Sequence, residues 1–282
     1  MKDYFNLFRA RQWYKNLVIF LAIIFGGKLL DIQSWETLSL GFIALCIISS
    51  SNYIINDIID FRKDRLHPEK KNRPLAAGKI SLVNAFLCFL ILVTGGFYLA
   101  YLLSVNFFLL SLSLFFINQV YSFTLKNEPF ADLISISTNF VIRAVSGSVL
   151  INMDISPWLI LCTFFLALFL GSAKRHSEVL LLKEMAIEHR PVLKYYPINI
   201  TNALMTISAS LLILSYSLYS LLGQHKMLML SMPFALYVII RYYYLAESGS
   251  PIGRSTELAI RDKRIVIGSL LWIITAIFVI TF

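Results

Sequence analysis

Long apolar runs alternate with short, strongly polar stretches along the whole chain. Nine of the runs are long enough to cross a bilayer as helices, since about 20 apolar residues span its hydrocarbon core. The predicted spans are residues 17–30, 38–55, 82–102, 107–123, 133–150, 157–173, 200–222, 227–245 and 265–281. The first is short and is interrupted by Gly26 and Gly27. The pattern predicts an all-α integral membrane protein with about nine transmembrane helices.

The polar stretches mark the loops, and no linker of low complexity divides the chain. We expect a single polytopic domain over residues 1–282, with cap loops near 56–81, 124–132 and 174–199. The first and the last of these loops are long enough to form short helices. The N-terminal stretch MKDYFNLFRARQWYKN is charged and aromatic, so we expect no cleavable signal peptide.

Composition supports the membrane class, because 58% of the 282 residues are hydrophobic and only 15% are charged. The formal net charge is +9, and its distribution is one-sided. All but three of the 25 Lys and Arg residues lie in segment 1–16 and in alternate loops; the exceptions are Lys28, Arg143 and Lys226. The positive-inside rule therefore predicts a cytoplasmic N-terminus. The basic side could hold lipid headgroups or phosphorylated substrates, and no nucleic-acid-binding module interrupts the spans.

Acidic and basic residues gather in one stretch, NDIIDFRKDRLHPEKKNRP, directly after the second span. If the span continues as a helix, Asp57, Asp60 and Asp64 lie on one face, within about 60° of arc. Three ionised carboxylates repel one another unless cations intervene, and carboxylate oxygens are the ligands that Mg²⁺ prefers. Asn56 directly precedes them. The alternative is a solvated helix end, neutralised by its neighbours Arg62, Lys63 and Arg65.

This stretch resembles the signature of UbiA-type intramembrane prenyltransferases. NDIIDFRKD fits the pattern NDxxDxxxD, and RPLAAGKIS is similar to the RPL-x-x-G-x-[IV]-S segment that follows it. The resemblance implies an all-helical bundle with a lateral opening to lipid and a Mg²⁺–diphosphate site at its cytoplasmic end. It also implies a multi-pass protein of a bacterial or archaeal cytoplasmic membrane, with the active site facing the cytoplasm.

Four further segments resemble one branch of this family, the decaprenyl-phosphate phosphoribosyltransferases. They are RQWYKN (11–16), which is similar to R-x-x-Q-W-x-K-N, and YSFTLKNEPFADL (121–133), FVIRAVSG (140–147) and AKRHSE (173–178). Members that prenylate aromatic acceptors commonly carry a second DxxxD, whereas Asp132 is preceded four residues earlier by Glu128 and has no partner Asp at that spacing. The resemblance implies Mg²⁺-dependent transfer of a phosphoribosyl group from phosphoribosyl diphosphate to a polyprenyl phosphate.

The resemblance also assigns roles to individual residues. The catalytic and metal-binding set is Asp57, Asp60 and Asp64, with Asn56 as a further metal ligand. The substrate-binding set is Arg11, Lys15, Asn56, Lys71, Arg73, Tyr121, Lys126, Arg143, Lys174 and Arg175. A phosphate nucleophile is already anionic near neutral pH, so the reaction needs no dedicated general base.

Several of these residues also have purely structural interpretations. Arg11 and Lys15 could extend their charges to the membrane surface, and Lys174 could pair with Glu178 one helical turn later. Arg143 lies about ten residues into a predicted span, where a charge must pair with an acid or face a hydrated, anionic pocket.

Other functions remain open at this stage. A UbiA-type enzyme that transfers a prenyl diphosphate to an aromatic acceptor would share the first acidic motif but should show a second. A transporter would place its acids near the middle of the membrane, whereas these acids lie at one end. A CDP-alcohol phosphotransferase would need a DG-x-x-A-R segment, which the sequence lacks. Cys46, Cys88 and Cys162 lie in predicted spans and indicate packing rather than a disulfide framework.

Overall fold

A computed structural model of the protein describes residues 2–66, 70–182, 191–223 and 225–281, and the regular structure of these residues is entirely helical. The α-helices are α1 (Lys2–Leu7), α2 (Leu21–Phe25), α3 (Ile32–Ile59), α4 (Phe61–Leu66), α5 (Leu82–Leu103), α6 (Val105–Phe123), α7 (Ala131–Leu150), α8 (Pro157–Leu182), α9 (Ile198–Leu222), α10 (Met232–Glu247), α11 (Pro251–Arg254) and α12 (Lys263–Thr281). Stretches of 3₁₀ helix lie at Ala10–Phe20, Lys70–Asn72, Leu125–Asn127, Pro191–Tyr195, Lys226–Ser231 and Thr256–Arg261.

Eight helical stretches of the described chain are long and apolar enough to cross a membrane. They are α3, α5, α6, α7, α8, α9, α12 and the continuous stretch Lys226–Glu247 that contains α10. The protein is therefore a multi-pass, all-helical membrane protein, as its hydrophobic pattern predicts.

The first predicted span, 17–30, is built differently from the other eight. It lies on the end of the 3₁₀ stretch Ala10–Phe20 and on the five-residue helix α2. The helix stops at Phe25, and the chain turns through Gly27, whose φ is +68°. A left-handed backbone conformation of this kind ends a right-handed helix, so no long helix forms here.

The cap loops contain the short helices that their length suggests. Loop 56–81 includes α4 and the 3₁₀ turn at Lys70–Asn72, and loop 174–199 includes the 3₁₀ turn at Pro191–Tyr195. Residues 67–69 and 183–190 of these loops lie outside the described residues.

The chain divides into two compact units, and helix α7 contributes to both. Unit 1 comprises residues 1–122 and 142–154, and unit 2 comprises residues 123–141 and 155–282. That the whole chain forms a single domain, and that its N-terminus faces the cytoplasm, stay predictions.

Unit 1 is organised around helix α3, which packs on α5 and on the 3₁₀ stretch Ala10–Phe20. Its main core contains Ile19, Ile23, Leu38, Leu45, Ile48, Phe107 and Leu114. A smaller apolar cluster of Leu7, Ile54, Leu75, Ile80 and Ala85 lies nearer the C-terminal end of α3. Because Leu75 and Ile80 are both buried there, the RPLAAGKIS loop is fixed against α3.

Unit 2 is organised around two helix pairs, α8 with α9 and α10 with α12. Its core joins Phe169 and Ala173 of α8 to Met205 of α9, Tyr242 of α10 and Ile265 of α12. A second apolar cluster packs Leu133 of α7 against Val192, Leu193 and Tyr196, which follow the undescribed segment. Residues 123–133 of the predicted motif at 121–133 and the whole motif at 173–178 lie in unit 2.

A close backbone approach within unit 1 depends on Gly147. A Cβ atom at this position would lie 2.1 Å from the carbonyl oxygen of Ile19. Only glycine therefore allows α7 to approach the 3₁₀ stretch Ala10–Phe20 so closely. Arg143 lies one helical turn before Gly147, so the same approach brings Arg143 near Asn16.

We expect Gly147→Ala to lower the free energy of unfolding by about 2 kcal/mol, because backbone atoms must separate to accept the methyl group. Thermal unfolding in detergent measures the loss. Gly95→Ala is the matched control, since a Cβ atom at Gly95 meets nothing within 4 Å. Equal melting temperatures for the two variants would contradict the packing argument.

Candidate active site

The predicted acidic site lies in unit 1, where α3 ends and α4 begins. Helix α3 ends at Ile59, Asp60 interrupts the helix, and α4 carries Asp64. The condition under which all three acids lie on one face of a single helix is therefore not met. The reason is local, because Asp60 has a ψ of 2°, outside helical values, although its N–H still donates to the carbonyl oxygen of Asn56.

Two of the three acids are buried and bonded to the same arginine. Asp57 is 2% exposed and Asp64 is 3% exposed, whereas Asp60 is half-buried. Arg73 Nη1 donates to Asp64 Oδ2 at 2.6 Å and to Asp57 Oδ1 at 3.0 Å. Ionised carboxylates are costly to bury without a cation, so Arg73 stabilises both.

The loop that carries Arg73 is held in place from its other side. Leu75 and Ile80 are buried in the apolar cluster around Ile54. Between them the chain reverses at Gly78, whose φ of +72° suits glycine. The N–H of Lys79 donates to the carbonyl oxygen of Pro74 across this turn. The RPLAAGKIS motif therefore has a structural purpose, which is to present Arg73 to the acids.

A second arginine, Arg9, contacts the acidic site from the N-terminal segment. Its Nη2 donates to Asp57 Oδ1 at 2.5 Å, and its guanidinium lies over the ring of Tyr53, 4.7 Å from the centroid. Its backbone is left-handed, with a φ of +49°, directly before the 3₁₀ stretch. Arg11, which the sequence analysis assigns to substrate binding, is exposed. The N-terminal arginine that meets the acids is therefore Arg9.

Sequence reasoning missed Arg9 although a signal for it was present. The pattern R-x-x-Q-W-x-K-N begins three residues before Gln12, and that position is Arg9. Arg11 lies one residue before Gln12 and does not match that spacing. Asn16, the last residue of the same pattern, was missed as well.

Asn16 and Arg143 form a buried polar contact in unit 1. Arg143 Nε donates to Asn16 Oδ1 at 2.8 Å, and Asn16 Nδ2 donates to Cys46 Sγ at 3.3 Å. Arg143 is 7% exposed and Asn16 is 1% exposed. This bond is made to a neutral amide, so it orients the guanidinium without cancelling its charge.

The donor chemistry around Asp57 and Asp64 fits a hard cation such as Mg²⁺. Asn56 Oδ1, next to Asp57 in sequence, is buried and accepts no hydrogen bond from the described residues. Carboxylate and amide oxygens are the ligand types that Mg²⁺ takes, with water and substrate phosphate completing its shell. Among the described residues no three His, Cys, Asp or Glu side chains gather closely enough to bind a metal alone. The three predicted acids therefore do not form a complete ligand set by themselves.

Asp132 belongs to a buried cluster of unit 2. Its Oδ1 accepts a bond from the Tyr196 hydroxyl at 2.5 Å, and its Oδ2 accepts one from Arg175 Nε at 3.2 Å. Tyr196 also accepts a bond from the N–H of Phe130 at 2.7 Å. Burial, reinforced by Asp132, raises the pKa of Tyr196 above its ordinary value, so the phenol remains a donor.

Arg175 joins this cluster to the AKRHSE motif. Its Nη1 donates to Glu178 Oε2 at 2.7 Å, one helical turn later. Arg175 is 3% exposed, whereas Lys174 is exposed. Arg175 is therefore a bridge between two acids, and its predicted contact with substrate stays a prediction.

The other predicted substrate-binding residues are distributed over both units. Lys15 and Tyr121 of unit 1 are half-buried, and Lys71 of unit 1 is exposed. Lys126 of unit 2 is half-buried. Unit 1 thus brings together Asp57, Asp64 and Arg73, whereas the remaining substrate contacts stay predictions.

Comparison with known proteins identifies the family. The UbiA prenyltransferase family matches residues 17–251. The decaprenyl-phosphate phosphoribosyltransferase of Mycolicibacterium smegmatis is 28% identical, over 94% of this chain and 88% of that protein. Its Corynebacterium glutamicum counterpart is 29% identical, over 94% and 82%. An uncharacterized Sinorhizobium fredii protein, y4nM, is 34% identical over 76% of this chain, which spans only 42% of that protein.

Solved structures share the fold. A UbiA homolog from Archaeoglobus fulgidus bound to GPP and Mg²⁺ has a TM-score of 0.74 at 21% identity, with 99% of this chain and 100% of that chain covered. A digeranylgeranylglyceryl phosphate synthase structure has a TM-score of 0.72 at 18% identity and covers 98% of both chains. At these identities the likeness concerns the fold alone. Together with the family match, it shows that this chain is a multi-pass membrane enzyme that belongs to the UbiA prenyltransferase family.

Proposed function

We propose that this enzyme transfers the 5-phosphoribosyl group of phosphoribosyl diphosphate to a polyprenyl phosphate and releases diphosphate. The observation that carries the proposal is the environment of Asp132. Both of its carboxylate oxygens are engaged, one by Tyr196 and one by Arg175, in a buried cluster. Members of the family that prenylate aromatic acceptors commonly have a second acidic motif here, and this chain has an arginine-bridged cluster instead. The names of relatives that align over most of the chain support the same activity.

Unit 1 offers the groups that a sugar diphosphate needs. The proposed ligands for Mg²⁺ are Asp57, Asp60, Asp64 and Asn56. The ion would neutralise negative charge on the departing diphosphate. Arg9 and Arg73 contact the same carboxylates, and a guanidinium binds phosphate oxygens as readily as carboxylate oxygens. These two arginines are therefore the proposed guanidinium contacts for the diphosphate.

The acceptor is a phosphate oxygen of the lipid. It is anionic near neutral pH, so no side chain has to remove a proton from it before it attacks C1 of the ribose. The proposed contacts for the lipid phosphate and the 5-phosphate are Lys15, Lys71, Tyr121, Lys126, Lys174 and Arg175. Their task is to orient two anionic substrates, and orientation alone supplies a large part of the rate.

In the direct test, the purified protein is incubated with Mg²⁺, labelled phosphoribosyl diphosphate and polyprenyl phosphates, and the lipids are then extracted. We expect label in the lipid phase, and at least a hundredfold lower rate for Asp57→Asn and Asp60→Asn. The Asp60 variant should keep the wild-type melting temperature, because Asp60 is only half-buried. Chelation of Mg²⁺ should have the same effect. A parallel reaction supplies labelled prenyl diphosphate and 4-hydroxybenzoate, and faster labelling there would overturn the proposal in favour of aromatic prenylation.

Arg9 and Arg11 form a natural pair for testing the arginine assignment. Arg9→Ala removes a cation from the buried Asp57 carboxylate, so we expect a loss of about 2 kcal/mol in the free energy of unfolding. Arg11→Ala removes an exposed side chain, and its stability should stay within about 0.5 kcal/mol of wild type. Chemical denaturation in detergent measures both. If Arg11→Ala were less stable than Arg9→Ala, the assignment of Arg9 as the arginine of the acidic site would be wrong, and Arg11 would take its place.

Two substitutions of Arg143 distinguish a phosphate-binding role from a structural one. Arg143→Lys keeps the charge but loses both the planar fork and the Nε–H that bonds Asn16. If Arg143 binds phosphate, turnover should fall at least tenfold in Arg143→Lys as well as in Arg143→Ala. Turnover, substrate affinity and melting temperature are measured for both. Wild-type affinity for both substrates in Arg143→Ala would exclude the phosphate-binding role.

A further inference from the structure

Helix α3 carries a buried amide one turn before the acidic site. Asn52 is 4% exposed, and its Oδ1 accepts a bond from Gln119 Nε2 of α6 at 2.5 Å. Its Nδ2 is buried and has no hydrogen-bond acceptor among the described residues. Gln119 therefore fixes the orientation of Asn52 and leaves one donor group unused.

The unused donor lies on the same side of α3 as the metal-ligand candidate Asn56. Residues four apart on a helix are neighbours on its surface, about 6 Å apart. Asn56 Oδ1 is the other buried polar atom of this helix without a hydrogen-bond partner in the described structure. An unpaired donor and an unpaired acceptor thus lie one helical turn apart on the same side of α3, and Asn56 directly precedes Asp57 in sequence.

Buried polar atoms are nearly always hydrogen-bonded, and an unpaired one lowers the stability of the fold. An apolar isoprenoid chain could not pair with the Asn52 donor, because hydrocarbon accepts no hydrogen bond. A hydroxyl group could, since its oxygen has two acceptor positions and its proton can be donated elsewhere. The ligand chemistry that fits is therefore an oxygen acceptor, and one helical turn from the proposed diphosphate position a sugar hydroxyl of the same substrate supplies one.

We propose that Asn52 recognises a ribose hydroxyl of phosphoribosyl diphosphate through Nδ2, with Gln119 as the residue that positions its amide. The inference rests on the proposed function and makes it more specific. The diphosphate is bound beside Asp57, and the ribose hydroxyls lie within a few ångströms of the C1–O bond that breaks. Along α3, Asn52 lies one helical turn, about 5.4 Å, before Asn56, which adjoins Asp57. Asn52 thus selects a sugar over a prenyl group at the same acidic motif.

The test compares phosphoribosyl diphosphate with its 2-deoxy and 3-deoxy analogues. Wild type should prefer the natural substrate over at least one analogue by about tenfold or more in kcat/KM, because the analogue leaves Nδ2 unpaired. In Asn52→Leu this preference should disappear, while the KM for polyprenyl phosphate stays unchanged. Gln119→Leu should reduce the preference in the same direction. Asn52→Ala serves as a second variant with a smaller side chain.

Asn118→Leu is the matched control, because Asn118 Nδ2 bonds the carbonyl oxygen of Leu114 within its own helix. It should keep the wild-type preference. A wild-type enzyme that uses both analogues as well as the natural substrate overturns the inference, as does an Asn52 variant that retains the full preference. Both outcomes leave the proposed function standing, since phosphoribosyl transfer is observed. Absence of any transfer by wild type would instead overturn the proposed function and this inference with it.

Discussion

Two carboxylates buried at the end of a membrane-spanning helix need cations, and much of unit 1 serves to supply them. Asp57 and Asp64 are almost inaccessible to solvent, so each would be costly to ionise alone. Arg73 bonds both, and Arg9 adds a second cation to Asp57. The loop that carries Arg73 is anchored by buried apolar side chains. In the proposed reaction, these two carboxylates would bind a divalent cation, and the two arginines would bind a diphosphate.

In unit 2, an acid and an arginine join helices. Asp132 is fully buried, and its oxygens are bonded to Tyr196 and Arg175, which in turn bonds Glu178. This cluster joins helix α7 to α8 and to the chain before α9. The guanidinium of Arg175 lies between two carboxylates and balances part of their negative charge within the protein. In the proposed reaction, the acids of unit 1 and not Asp132 would bind the metal ion.

The hydrophobic pattern predicts the helices well because membrane-spanning segments must satisfy their own backbone hydrogen bonds. Eight of the nine predicted spans are long helices, and the exception lies where Gly26 and Gly27 interrupt a short run. The acids and Arg73 were also predictable, since they lie in one contiguous motif. The contacts of Arg9 with Asp57 and of Arg175 with Asp132 were not. They join residues 48 and 43 positions apart, and a single sequence contains no record of such pairings.

The account depends most directly on whether the Asp57–Arg73–Asp64 cluster binds diphosphate together with a metal ion. Calorimetric titration of the purified wild-type protein with inorganic diphosphate measures this without any lipid substrate or turnover. We predict saturable binding in Mg²⁺, little binding after chelation, and at least about tenfold weaker binding to Asp64→Asn, since that variant loses one carboxylate of the site. Equal affinity with and without Mg²⁺, or wild-type affinity in Asp64→Asn, would contradict the account.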